Sequence, residues 1–159
     1  YLALPEDLVD PFARMLALAD HVAPSLEQAV AADFLADGHY ARHVRRMRGV
    51  YAARRDALVD AIAREADGRL HAEPPGAGMH LVAWLAAADD AAAARAAHAA
   101  GIEASPLSLY CVRQSLPPAL LLGFGATPEA RMRQGVRRLV DAARRTGTLG
   151  DAAPAGGVA

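Results

Sequence analysis

The sequence predicts an α+β domain, with helices over roughly the first 67 residues and a small sheet interleaved with helices after them. Three observations carry this. Between His39 and Ile62, the residues Tyr40, Val44, Met47, Tyr51, Leu58 and Ile62 recur at intervals of three, four or seven, the period of one buried helical face. The segments GMHLVAWLA and ALLLGFG are continuous apolar runs of strand length, which predicts burial on both faces. Between them, DDAAAARAAHAAG starts on acidic residues and stops at Gly101, which reads as a helix.

Taken in order, the segment after Pro5 has acidic residues early and apolar positions at Leu8, Phe12, Met15, Leu16 and Ala19, which suit a helix whose straight course Pro11 limits. Ser25 and Gln28 have the spacing of a capping box for a second, short helix that Gly38 stops. The arginine-rich helix over 39–62 follows and ends near Asp67 and Gly68. RLHAEP reads as a strand, then GMHLVAWLA, the helix begun by Asp89 or Asp90, GIEAS as a short strand, and ALLLGFG. In the last helix, Thr127 can cap, Pro128 fits the first position, and Met132, Val136, Leu139 and Val140 form the apolar face. From Thr146 onward, glycine, proline and alanine without periodicity predict a disordered tail.

A chain of 159 residues with 53% hydrophobic content can build one core, whole or partial, and is short for two. The net charge of -1 argues against a surface that is basic throughout, so nucleic-acid binding would need a local patch. All 17 basic residues are arginine. Without lysine, no side-chain amine exists to form a Schiff base with a carbonyl cofactor. Cys111 is the single cysteine, which excludes an intrachain disulfide and a cysteine-based zinc cluster and fits a reducing cytoplasm. The start YLALPEDLVD lacks a secretory pattern, and no apolar run nears the roughly 20 residues of a membrane span, so a soluble protein is expected. Its opening tyrosine, in a strand-like YLAL, predicts a chain cut within a longer protein.

Several constellations invite chemistry. Arg42, Arg45, Arg46, Arg48, Arg54 and Arg55 lie largely off the apolar stripe and could neutralise phosphates, yet the stripe must be buried, and a solvated or interdomain face suits the arginines better. His39 and His43 share a helix face at metal-site spacing, but no carboxylate accompanies them and Arg42 and Arg46 repel a cation, so no metal site is expected. Gly123 and Gly125 before a helix resemble a phosphate-binding turn, although Pro128 stands where a dinucleotide fingerprint has its third glycine. Ser105, Ser108, Tyr110 and Cys111 offer hydroxyls and a thiol with no histidine and carboxylate to activate them. His80 and His98 read as core or surface histidines, and no residue is assigned a catalytic role.

The runs FLADGHYARHVRRMRGVYAARRDALVDAI, GAGMHLVAWL, GIEASPLSLY and ALLLGFGATPEARMRQGVRRLVDAA resemble the C-terminal part of MocR-type regulators. These are GntR-family proteins that join a winged helix-turn-helix to a domain like the class I/II aminotransferases, the pyridoxal-phosphate enzymes of fold type I. The resemblance covers residues 1 to 145, and its specific part is the stretch with His43, Arg45, Arg46, Met47, Arg48, Tyr51, Arg54 and Arg55. It implies the small C-terminal domain of that architecture, helices on a small, mostly antiparallel sheet. Residues 1–37 would end the large domain, 38–146 form the small domain with its long connecting helix, and 147–159 the tail.

Under this resemblance, Tyr1 matches the tyrosine of the strand after the cofactor lysine, so the lysine and the DNA-reading domain would lie upstream. Pyridoxal phosphate, a homodimer, DNA contact outside this chain, and a small amino compound or the cofactor as effector are implied, with no membrane. Aminotransferases of this fold commonly grip the substrate carboxylate with an arginine at the start of the strand matching ALLLGFG. Ala119 and Leu120 occupy that region, and Arg113 is the nearest candidate for the carboxylate contact. That departure favours a regulator over a free-standing aminotransferase of the 2-aminoadipate type, the alternative.

Overall fold

The computed structural model describes residues 2–19, 24–86, 89–114 and 116–149, which form two compact units divided between Arg46 and Met47. The first unit is helical. Helix α1 spans Glu6–Ala19 and runs through Pro11, which has no amide to give to the helix ladder. Helix α2 spans Ser25–Ala36. The expected capping box is absent: Pro24 occupies the N-cap, Ser25 already sits inside the helix, and no side chain caps the first turn. Gly38, at φ 71°, reverses the chain in the left-handed region, where a side chain would be strained. Helix α3, His39–Glu65, starts at once, and Phe34 and His39 stack with ring centroids 5.6 Å apart. Neither α1 nor α2 has a buried residue, and Leu8, Phe12, Met15 and Leu16 are all exposed.

In the second unit, α3 continues from Met47 and its stripe sinks progressively: Tyr51 is half-buried, Leu58 is 5% exposed and Ile62 2%. After Asp67 and Gly68, both at positive φ, come β1 (Leu70–Ala72), β2 (His80–Leu85), α4 (Asp90–Ala99), β3 (Ser105–Pro106), a single 3-10 turn (Leu107–Tyr110), β4 (Ala119–Gly123) and α5 (Glu129–Arg145). The four strands are antiparallel in the order β1-β2-β4-β3. Register sets Leu81 against Leu122 and Ala83 against Leu120, placing them on one face. That face joins Leu58 and Ile62 of α3, Ala93 and Ala97 of α4, and Met132, Val136, Leu139 and Val140 of α5 in one core.

Burial on both faces of β2 and β4 forms only in part: Ala119 is buried on the second face at the start of β4, and the rest of that face is at most half-covered. In β2, Leu81, Ala83 and Leu85 are buried while Val82 and Trp84 are half-buried and His80 exposed; in β4, Leu121 is half-buried. The apolar runs are therefore richer than one covered face requires. α4 begins as expected, with Asp89 as N-cap accepting a 2.8 Å hydrogen bond from the Ala92 amide. α5 does not: Pro128 is its N-cap and Thr127 makes no cap hydrogen bond. Of the tail expected from 147, Gly147, Thr148 and Leu149 are described and close α5, with the Thr148 amide bonded to Ala143 O and Leu149 7% exposed in the core. Residues 150–159 lie outside the described residues. Among the described residues no helix is long and apolar enough to cross a membrane.

Candidate functional site

A groove of about 1080 Å³ opens in the second unit, with Tyr51, His80, Ser105, Tyr110, Thr127 and Arg131 among the side chains at its wall. α3 supplies Tyr51, the β2–β4 pair supplies His80, and the start of α5 supplies Arg131. At one end the chain turns from β4 into α5 through Gly123 and Gly125. A Cβ at Gly125 would approach Met79 Sδ to 3.3 Å, so a side chain there would need the Met79 side chain to give way by a few tenths of an ångström. Arg54, half-buried, donates to the Gly125 carbonyl. The glycine turn thus offers an acceptor to the Arg54 guanidinium, as a packed strand-to-helix turn does.

The arginines of α3 sort accordingly. Arg42 donates to Asp37 O at 3.2 Å and contacts His39 Nδ1 at 2.9 Å, Arg46 contacts His43 Nδ1 at 3.3 Å, and Arg55 pairs with its neighbour Asp56. His39 and His43 are thereby engaged with guanidinium groups, and no group of metal-ligating side chains occurs among the described residues. At the C-terminal end of α3, Glu65 receives Arg137 and Arg133 from α5. Their hydrogen bonds, Arg137 first, hold its carboxyl down at about 2 despite the opposing effect of burial.

Asp90 is the element that the sequence reading missed. Its neighbour Asp89 already caps α4, yet Asp90 is 6% exposed and accepts from Ser108 N at 2.9 Å and Ser108 Oγ at 2.7 Å. Burial alone would raise this carboxyl, but hydrogen bonds from the Ser108 hydroxyl and amide, then from the Ala119 and Ala91 amides, outweigh it and keep the group below its ordinary range. The doublet DD was the available signal, since one helix start needs only one cap. Beyond Ser108, Leu109 is 74% exposed, Tyr110 62% and Val112 92%. Cys111 is half-buried with Sγ 3.5 Å from Leu107 O. Arg113, on the bend that follows, is exposed and makes no hydrogen bond or ion pair among the described residues. Ala119 and Leu120 are 0% and 1% exposed, so the start of β4 has no room for a guanidinium.

This architecture defines the class: the chain has the fold of the small domain of the fold type I aminotransferases. It superposes on the multiple substrate aminotransferase of Thermococcus profundus with a TM-score of 0.65 at 26% identity, covering 74% of this chain and 30% of that one. LysN, the α-aminoadipate aminotransferase of Thermus thermophilus, solved with N-(5'-phosphopyridoxyl)-L-leucine, gives a TM-score of 0.73 at 23% identity over 91% of this chain and 37% of that one.

Among curated proteins, the chain is 34% identical over 140 residues to the probable rhizopine catabolism regulatory protein MocR of Rhizobium meliloti, covering 87% of this chain and 28% of that protein. It is 27% identical over 142 residues to the HTH-type transcriptional regulator YhdI of Bacillus subtilis, covering 87% and 30%. The chain is thus homologous to MocR and HTH-type regulators over most of its length, and spans less than a third of theirs. No protein-family model matches it. Pyridoxal phosphate, which the fold family implies, does not fit this chain's residues by themselves: none of the 159 is a lysine, and the glycine turn before α5 directs a carbonyl at Arg54.

Proposed function

We propose that this chain is the aminotransferase-like small domain of a transcription regulator whose full length adds a winged helix for DNA and the lysine-bearing large domain for pyridoxal phosphate. The 34% identity to MocR over 87% of this chain is the observation that carries the reading. Residues 1–37 are assigned to the end of the large domain, 38–146 to the small domain and 147–159 to its tail. The assignment of 1–37 is supported by α1 and α2, which expose Leu8, Phe12, Leu16, Val30 and Phe34 and bury nothing, as helices made for a further surface do. The full-length protein acts in the cytoplasm as a homodimer.

The effector is a small amino compound whose carboxylate is gripped by Arg113. In support, Arg113 is an exposed guanidinium without a partner among the described residues, and β4 offers no alternative. Binding would shift the full-length protein between two arrangements of different DNA affinity. In a mobility-shift experiment with its own upstream DNA, an added amino acid is expected to change the affinity of the full-length protein. An upstream sequence without a winged helix sinks the proposal.

The second reading is a free-standing class I/II aminotransferase of the 2-aminoadipate type, which the likeness to LysN favours. Incubation of the full-length protein with amino donors and keto acids separates the two. Sustained turnover belongs to the enzyme, and binding without turnover to the regulator.

A further inference from the structure

Asp90 carries more hydrogen bonding than its helix needs. Asp89 already satisfies the α4 N-terminus through Ala92. The Asp90 carboxylate instead receives both the amide and the hydroxyl of Ser108. Ser108 opens the segment that carries Tyr110 and Arg113, so one buried carboxylate fastens its near end. Between Ser108 and Arg113 the Cys111 amide bonds back to Ser108 O at 3.2 Å, while Leu109 and Val112 stand 74% and 92% exposed. A buried carboxylate with several donors resists displacement, because any departing donor leaves a charge short of partners in a poorly solvated place.

We propose that Asp90 is a positioning residue for the effector site: by fixing Ser108 it sets the course of the chain to Arg113, and so tunes recognition of the effector's carboxylate. The proposal rests on the Arg113 reading given above. Asp90 touches no ligand itself. Its influence passes along the chain from Ser108 to Arg113, and it concerns only the ligand's carboxylate end.

The test uses the full-length protein and, as probes, the standard amino acid giving the largest thermal shift together with the amine formed by removing its carboxylate. Arg113→Ala is expected to weaken the amino acid by about tenfold or more and to leave the amine unchanged. Asp90→Asn should weaken the amino acid by about tenfold and Ser108→Ala by about threefold, again sparing the amine. In the Arg113→Ala background, Asp90→Asn should add nothing, the signature of action through that arginine. Tryptic cleavage after Arg113 should quicken in Asp90→Asn and, more mildly, in Ser108→Ala, which also covers the case of Asp90→Asn folding poorly.

If no amino acid binds, or Arg113→Ala binds the amino acid normally, the Arg113 reading fails first. If Arg113→Ala is weakened but Ser108→Ala and Asp90→Asn are not, that reading stands and the positioning role of Asp90 is overturned. Equal losses for amino acid and amine would reduce Asp90 to general stability and overturn it too.

Discussion

The residues before Met47 and those after it are built on opposite terms. α1 and α2 form without burying a single residue, whereas the second unit gathers Leu58, Leu81, Leu120, Phe124, Val136 and Leu139 into a core, each at most 5% exposed. Both regions are rich in apolar side chains, so composition does not separate them. What separates them is closure: the second region has a sheet whose inner face meets three helices, and the first has helices only. Most helical stability comes from packing an apolar face, not from propensity. The stability of this chain therefore resides after Met47, and the apolar residues of α1 are available to something else.

The largest expected effect follows directly. Phe124→Ala, at a 2% exposed site, should lower unfolding free energy by about 3–5 kcal/mol in urea titrations of the 159-residue chain. Leu18→Ala, at 79% exposed, should stay within about 0.5 kcal/mol of the parent. Equal losses would break the comparison, since α1 would then be packed. Next comes Arg54→Ala. It leaves the Gly125 carbonyl without its charged donor and should cost about 1.5–3 kcal/mol, while Arg42→Ala, on an exposed helix start, should cost less than about 0.5 kcal/mol.

Much of this fold is legible in the sequence because local pattern and final burial agree. Met132, Val136, Leu139 and Val140 have the spacing of a buried face and are buried in α5; Asp89 and Gly101 bound α4 as their residue types suggest. The apolar runs locate the strands but overstate their second face, because continuous hydrophobicity records what a strand can meet and not what this chain provides. The caps expected at Ser25 and Thr127 do not form. Each stands next to a proline, and it is Pro24 and Pro128, with extended backbone, that take the N-cap position.

The candidate site is less legible. Arg113 stands out only through a family likeness and is exposed on its bend, but nothing local marks Ser108 as the partner of a carboxylate 18 positions earlier. Such a pairing depends on α4 and the 3-10 turn meeting, a tertiary fact. Arg54 reads as one of the solvated arginines of α3 because periodicity gives the direction of a side chain and not what waits there. Its partner, the Gly125 carbonyl, lies 71 residues on. A smaller effect sharpens the same contrast between local and long-range support: Asp89→Ala should cost about 1 kcal/mol by removing the α4 cap, whereas Ser25→Ala, with no cap to lose, should be close to neutral. A measurable loss at Ser25 would show that α2 is capped after all.

The smallest expected effect concerns acid. Glu65, 11% exposed, takes hydrogen bonds from Arg137 and Arg133, which lower its carboxyl from an ordinary value of 4.5 to about 2. A carboxyl depressed on folding stabilises the native state above its unfolded value and loses that contribution as pH falls through the folded one. The contribution is therefore complete above about pH 4.5 and fades towards pH 2. In melting curves across that window, Glu65→Gln should show a shallower decline than the parent, with the difference shrinking in high salt because the arginines remain open to solvent. The first region has no counterpart of this cluster among the described residues; its ion pair, Asp37 with His39 at 4.0 Å, is open to solvent on both sides. Parallel acid curves for Glu65→Gln and the parent would mean that the α3–α5 ion pairs contribute nothing net, and that the second region holds together by its apolar core alone.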